Sequence, residues 1–135
     1  MGIRLMLLLD THVVAWLALA PEKVSQRASA AIDGARQANA GLFVAGVTLV
    51  ELAVMFVRGR LQLHVPFNAF LEEVDRSFNV LPIDRHIATQ VTQLPAAYPR
   101  DPMDRIIGAT AIVQGIPLVT ADDRIRKSAV LNTIW

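Results

Sequence analysis

Blocks of apolar residues, each closed by a polar or acidic one, divide this chain of 135 residues into alternating strand and helix candidates. Ile3 to Leu9 is a short apolar run that ends at Asp10, as in a parallel strand covered on both faces. Thr11 to Ala20 has helical spacing, with Val13, Val14, Leu17 and Trp16 on its apolar side, and Pro21 stops it. Glu22 to Ala38 is rich in helix formers, with Val24, Ala28, Ala31 and Ile32 in register and Gly34 as a weak point. Gly41 to Val47 is a second strand. Thr48 to Val57 opens on a strong helix-start signal and ends at Arg58-Gly59-Arg60.

The second half repeats the alternation. Pro66 to Phe78 predicts a helix with Phe67, Phe70, Leu71 and Val74 inward and Glu72, Glu73, Asp75 and Arg76 outward. Asn79 to Ile83 predicts a strand, Asp84 to Leu94 a helix capped by Asp84, and Leu94 to Asp101 an irregular loop. Pro102 to Gln114 predicts a helix, Ile116 to Thr120 a strand, Asp122 to Lys127 a short helix and Leu131 to Trp135 a last edge strand. The fold class is therefore α/β. We expect one domain over residues 1–135, with a mostly parallel sheet of about four or five strands, helices on both faces and the first strand central.

Composition narrows the classes. The apolar fraction is 53% and mean hydropathy +0.41, enough for a good core with apolar surface to spare. The absence of cysteine excludes a disulfide framework and a thiolate metal site, and suits a reducing, cytoplasmic setting. Met6-Leu7-Leu8-Leu9 is too short for a signal segment, and no run reaches the roughly 18 residues of a membrane span. The chain reads as soluble, with no membrane partner. Net charge is only +1, so no broad electrostatic field favours nucleic acid. Eleven of the thirteen basic residues are Arg, which suits bidentate phosphate contacts, although a GC-rich genome explains the same bias.

Four acids stand where a strand or loop gives way to a helix: Asp10, Glu51, Asp104 and Asp122. In a parallel sheet the carboxyl ends of the strands share one edge, where such folds place their sites. Carboxylates meeting there repel one another, and a hard cation such as Mg²⁺ neutralises them; that chemistry serves phosphodiester cleavage. Each acid also has a structural role open to it. Asp10 can cap a helix. Thr48 and Glu51 have capping-box spacing, with Thr48 as the N-cap. Asp101 can cap the helix in which Pro102 takes the first position and Asp104 the positive first turn. One of Asp122 and Asp123 must cap the next turn, and Asp122, nearer the strand, is the site candidate. Thr11 can orient a carboxylate or a water, Thr120 can offer a hydroxyl to a water or phosphate, and His12 suits local packing better than metal ligation.

The blocks LLLDTHVVAWL, TLVELAV, RDPMDRIIGATA, LVTADDRI and LNTIW resemble, in order, those of the PIN-domain proteins, and among them the VapC-type toxins of toxin–antitoxin pairs. The third and fourth blocks are the most specific, and the resemblance spans essentially the whole chain. It implies a Mg²⁺- or Mn²⁺-dependent ribonuclease, dimeric and inhibited by a small antitoxin protein. Asp10, Glu51, Asp104 and Asp122 match its acidic quartet, Thr11 and Thr120 its hydroxyl positions, and Asp101 an accessory acid of one subset. Val50 and Met55 stand where relatives often carry an aromatic and a Lys. If that Lys serves RNA or antitoxin binding, the contact is absent here or moved to Arg58 or Arg60.

The leading expectation is RNA hydrolysis, with Asp10, Asp104 and Asp122 holding metal and Glu51 binding or orienting the attacking water. Arg100, Arg105 and Arg124 are candidates for neighbouring phosphates. Trp16, Val54, Met55 and Phe56 offer apolar surface for a partner, unless all are core. The rival class is a catalytically silent PIN-like module that binds RNA or protein. A haloacid-dehalogenase type of phosphohydrolase fits less well, with His12 where that chemistry wants an acid. A dinucleotide-binding domain lacks its Gly-rich turn after the first strand.

Overall fold

The three leucines of strand β1 (Leu7–Leu9) are wholly buried because helices cover both faces of the sheet around them. Successive strand residues point to opposite faces. Leu7 and Leu9 enter one core and Leu8 enters another. The computed structural model describes residues 6–135, so the part of the expected first strand from Ile3 to Leu5 lies outside the described residues.

The first core is closed by α1 (Thr11–Leu19), α2 (Gln26–Gln37) and α4 (Phe67–Ser77), through residues such as Val13, Ile32 and Phe70. The second is closed by α6 (Pro102–Gln114) and α7 (Asp123–Ser128), with Ile107, Ala111 and Ile125 against Leu8 and Leu118. β1 lies between β2 (Leu42–Ala45) and β4 (Leu118–Val119), β3 (Asn79–Leu81) flanks β2, and β5 (Thr133–Ile134) is the last strand beside β4. All four pairings are parallel, with Leu8 opposite both Phe43 and Leu118. This is the expected α/β sheet, with β1 at its centre. Truncating Leu8 to Ala would cost about 2–5 kcal/mol, because the void would sit between two well-packed layers.

Helix ends follow the local chemistry. Asp84 caps α5 (Arg85–Gln93) by accepting from the Ile87 amide, and Asp101 caps α6 by accepting from the Met103 and Asp104 amides. Gly115 closes α6 at φ 65°, a left-handed position that favours glycine. Two expectations are corrected. The helix predicted from Glu22 is split: Pro21–Lys23 forms a 3-10 turn, and the Ser25 hydroxyl starts α2 by accepting from the Ala28 amide. Helix α3 (Gly46–Val57) starts directly off β2, with Ala45 at the cap position, so Thr48 is not its N-cap. The Thr48 hydroxyl turns instead toward α1 and meets that of Thr11 at 2.9 Å, both residues being fully buried. No helix among the described residues is long and apolar enough to cross a membrane.

Candidate active site

The strand order places β2 and β3 on one side of β1, and β4 and β5 on the other. In open parallel sheets this reversal leaves a crevice beyond the carboxyl ends of the two central strands. Asp10 follows β1 there, and Thr120 and Asp122 follow β4. α3 brings Glu51 from the β2 side, and the first turn of α6 brings Asp104. A cleft of about 340 Å³ is lined by Asp10, Glu51, Asp101, Asp104 and Asp122, with Arg124 at its rim. The four acids singled out in the sequence therefore share one cleft.

Asp10 is 6% exposed, and each of its carboxylate oxygens accepts one hydrogen bond, with lone pairs to spare. Oδ1 accepts from the Thr11 amide at 2.9 Å, and Oδ2 accepts from the Thr120 hydroxyl at 2.7 Å. The Thr120 oxygen in turn accepts from the Asp122 amide at 3.1 Å. The expected offer of that hydroxyl to a water or phosphate is thus corrected: it is buried and committed to joining the two acids. Thr11, likewise, braces α1 against α3 through Thr48.

Burial pushes the Asp10 carboxyl above its ordinary range, against the pull of the Thr120 hydroxyl and the Thr11 amide. Glu51 is also raised, first by burial, with the Thr11 hydroxyl opposing and Asp10 adding to the rise. Its Oε1 is buried without a hydrogen-bond partner, an arrangement that costs free energy unless something else approaches that atom. Asp104 is pushed up to about 7, first by burial and then by the negative charges of Asp10, Asp101, Asp122 and Glu51. Burial would raise Asp122 too, but the Arg124 side chain and the Arg124 and Ile125 amides outweigh it and hold it low.

That pattern describes a cleft short of positive charge. Its own cation is Arg124, whose Nη2 lies 3.2 Å from Asp122 Oδ2 and 3.8 Å from Asp104 Oδ2. No three of the described acidic or imidazole side chains form a ready-made metal cluster. Mg²⁺ requires less, because it keeps several waters and takes one or two protein carboxylates. Asp10, Asp104 and Asp122 are suitable oxygen donors, and Glu51 lines the same cleft.

A residue not singled out in the sequence supports this edge. Tyr98 is 1% exposed and donates from its hydroxyl to the Asp104 backbone carbonyl at 2.7 Å. Gly108 makes room for it, since a Cβ there would overlap the Tyr98 hydroxyl. The segment between Leu94 and Asp101 is therefore a strap that fixes the first turn of α6. An aromatic between Pro95 and Pro99, with a glycine in the facing helix, was the available signal. Of the expected phosphate contacts, only Arg124 lines the cleft. Arg105 donates to the Tyr98 carbonyl at 3.3 Å, and Arg100 is exposed outside the cleft lining. His12 lines the cleft with its ring 6.0 Å from that of Trp16.

The PIN domain family profile matches residues 7–131, which include all four acids. The chain belongs to the PIN domain family. It is 38% identical over 120 residues to Ribonuclease VapC22 of Mycobacterium tuberculosis, covering 89% of each chain. Solved PIN-like folds agree. VapBC2 from Rickettsia felis, bound to a DNA fragment from its promoter, superposes with a TM-score of 0.70 at 12% identity over 96% of this chain and 97% of that one. A toxin-antitoxin complex from Klebsiella pneumoniae gives 0.67 at 18% identity, over 95% of each chain. At such identities these two structures speak for the PIN fold alone.

Proposed function

We propose that this PIN domain is an endoribonuclease, the toxin of a toxin–antitoxin pair, and that it works with Mg²⁺ or Mn²⁺ at its acidic cleft. One observation carries the chemistry. Asp10, Glu51 and Asp104 are gathered in a buried cleft that raises all three carboxyls, and one Glu51 oxygen has no partner. A structural cap network has no need of that arrangement, whereas a cation-assisted site does. The kinship with a ribonuclease of the VapC type supports RNA as the substrate.

Asp10, Asp104 and Asp122 would hold the ion, which when bound supplies charge neutralisation for the scissile phosphate and lowers the pKa of water. The chain's own residues do the rest. Thr120 and the Thr11 amide fix the Asp10 carboxylate, so that it need not reorganise during the reaction. The Glu51 carboxylate orients the attacking water and takes its proton as the new bond to phosphorus forms. The phosphorus–oxygen bond to the leaving ribose oxygen breaks, and that oxygen leaves with a proton from solvent. Arg124, freed from the acids, is placed to meet a phosphate oxygen.

Partner surfaces follow from exposure. Among the apolar residues expected to face a partner, Met55 packs against the core and Trp16 lies 5.9 Å from Trp135, while Phe56 stacks on Phe67 at 5.0 Å and stays 40% exposed. An open apolar surface is the outer face of α3, where Val50 is 55% and Val57 82% exposed, with Ala53 and Val54 between them. We assign that face to a homodimer. The kinship with a VapC-type ribonuclease supports an antitoxin protein as a further partner.

The deciding experiment is cleavage of end-labelled structured RNA by partner-free protein, with Mg²⁺, Mn²⁺ or EDTA, beside Asp10→Asn. Metal-dependent cleavage that disappears in the variant is expected. Cleavage retained by Asp10→Asn would overturn the site. Folded protein that neither binds metal nor cleaves would leave a silent binding module.

A further inference from the structure

The acidic cleft does not end at Glu51. His12, Glu51 and Asp101 also line an adjoining hollow of about 390 Å³, together with Arg58 and Arg60. Arg60 and Met55 then border a third hollow of about 480 Å³, where Trp16, Lys23 and His64 lie. Shared walls join the three hollows into a furrow, with Met55 and Arg60 common to the second and third and Trp16 common to the first and third.

Charge changes sign along this furrow. Its first part is walled by acids, while no acidic side chain lines the third. Arg58, Arg60 and Lys23 are exposed and take part in none of the ion pairs found among the described residues. Arg36, Arg76, Arg124 and Arg126, by contrast, each pair with a nearby acid. The furrow also holds an aromatic surface: Trp16 is half-buried, with the Lys23 ammonium 6.0 Å from its ring.

We propose that this furrow is a track for single-stranded RNA leading away from the acids, with Arg58 and Arg60 on phosphates and a base against Trp16. The inference rests on the nuclease reading and specifies where its substrate lies. A polyanion cut among carboxylates must be held by cations elsewhere, and the cations nearest the acids on the α3 side are these two arginines. Stacking on an indole requires an unpaired base, and a combination of aromatic platform and cationic groove is the usual means of holding a single strand without reading its sequence. Arg124 lines the cleft itself, beside Asp122 and Asp104.

The test is anisotropy of a labelled mixed-sequence single-stranded oligoribonucleotide, in EDTA and over a range of salt, with wild-type protein and Arg58→Ala/Arg60→Ala. The double variant should bind roughly tenfold more weakly, and its log K against log salt slope should be shallower by about 1.4, or about 0.7 per lost phosphate contact. Its melting temperature should not move, because both side chains are exposed. With Mg²⁺ present, KM should rise while kcat stays near wild type. A duplex of the same sequence should bind more weakly than the single strand.

Unchanged affinity and slope in a folded double variant would overturn the track, even if cleavage by the wild type upheld the nuclease. So would a variant that keeps RNA binding but loses an amphipathic peptide partner, which would give the furrow to protein. Loss of RNA binding in the variant, beside a wild type that binds but never cleaves, would keep the track and sink the nuclease.

Discussion

The Thr120 hydroxyl donates to Asp10 Oδ2 at 2.7 Å and ties the ends of the two central strands together across the crevice. Thr120→Val keeps the shape but removes this donor and the acceptor of the Asp122 amide. A buried carboxylate oxygen left without its partner costs about 1–3 kcal/mol. We expect a loss of that size in chemical denaturation, and a fall in cleavage rate larger than any change in KM. A variant of full stability and full rate would show that the pair positions nothing.

The acids set the pH dependence of the metal-free protein. Asp10, Glu51 and Asp104 all have folded-state values above their ordinary ones, with Asp104 moved from 3.8 to about 7. A raised carboxyl contributes stability that is fully present below its unfolded value and is lost as pH rises through its folded value. Melting temperature in EDTA should therefore fall between about pH 4 and about pH 7. Asp122, held low, acts with the opposite sign and only below its ordinary value of 3.8. Asp104→Asn should flatten the profile and stabilise the metal-free protein at neutral pH by roughly 1–2 kcal/mol, discounted for partial exposure. A profile unchanged by that substitution would remove Asp104 as its source.

Arg124 bridges the carboxylates that a divalent ion would take. Arg124→Ala should tighten Mg²⁺ or Mn²⁺ binding a few-fold in calorimetry while slowing RNA cleavage. The Asp122 carboxyl should titrate higher in the variant, followed by NMR. Weaker metal binding would mean that Arg124 arranges the acids rather than competing for them.

Gly108 and Tyr98 form a size-matched pair. Gly108→Ala forces the Tyr98 ring away, which should cost about 1–3 kcal/mol and loosen the first turn of α6. Tyr98→Phe removes only the bond to the Asp104 carbonyl and should cost about 1 kcal/mol. Full activity in Gly108→Ala would separate the strap from the site.

Val57→Asp places a charge on the open face of α3 without touching either core. Light scattering should show a monomer where the parent is a dimer, at unchanged monomer stability. A parent that is already monomeric would dismiss this face as the interface.

Much of this molecule was legible in the order of its residues. β1 reads as central because Leu7, Leu8 and Leu9 are all apolar, and only a strand covered on both faces is so. The four acids were visible because each ends an apolar run, and parallel strands bring such ends to one edge. What pattern could not supply was the direction of side chains. Thr48 has the spacing of a capping residue, but α3 begins two residues earlier and its hydroxyl is spent on Thr11. Arg105 and Arg124 look equivalent beside their acids, yet one binds the Tyr98 carbonyl and the other faces the cleft. Tyr98 was hidden because a loop between prolines gives no periodicity from which burial can be read.

The partners Asp10 and Thr120 lie 110 residues apart, and β4 must slot in beside β1 before they can meet. Synthesis runs from the N-terminus. A nascent chain that stops short of β4 has Asp10 and Glu51 but neither the brace at Thr120 nor the acid at Asp122. The acidic cleft is therefore assembled late: the brace on its first acid and its fourth acid arrive together, once β4 has paired with β1.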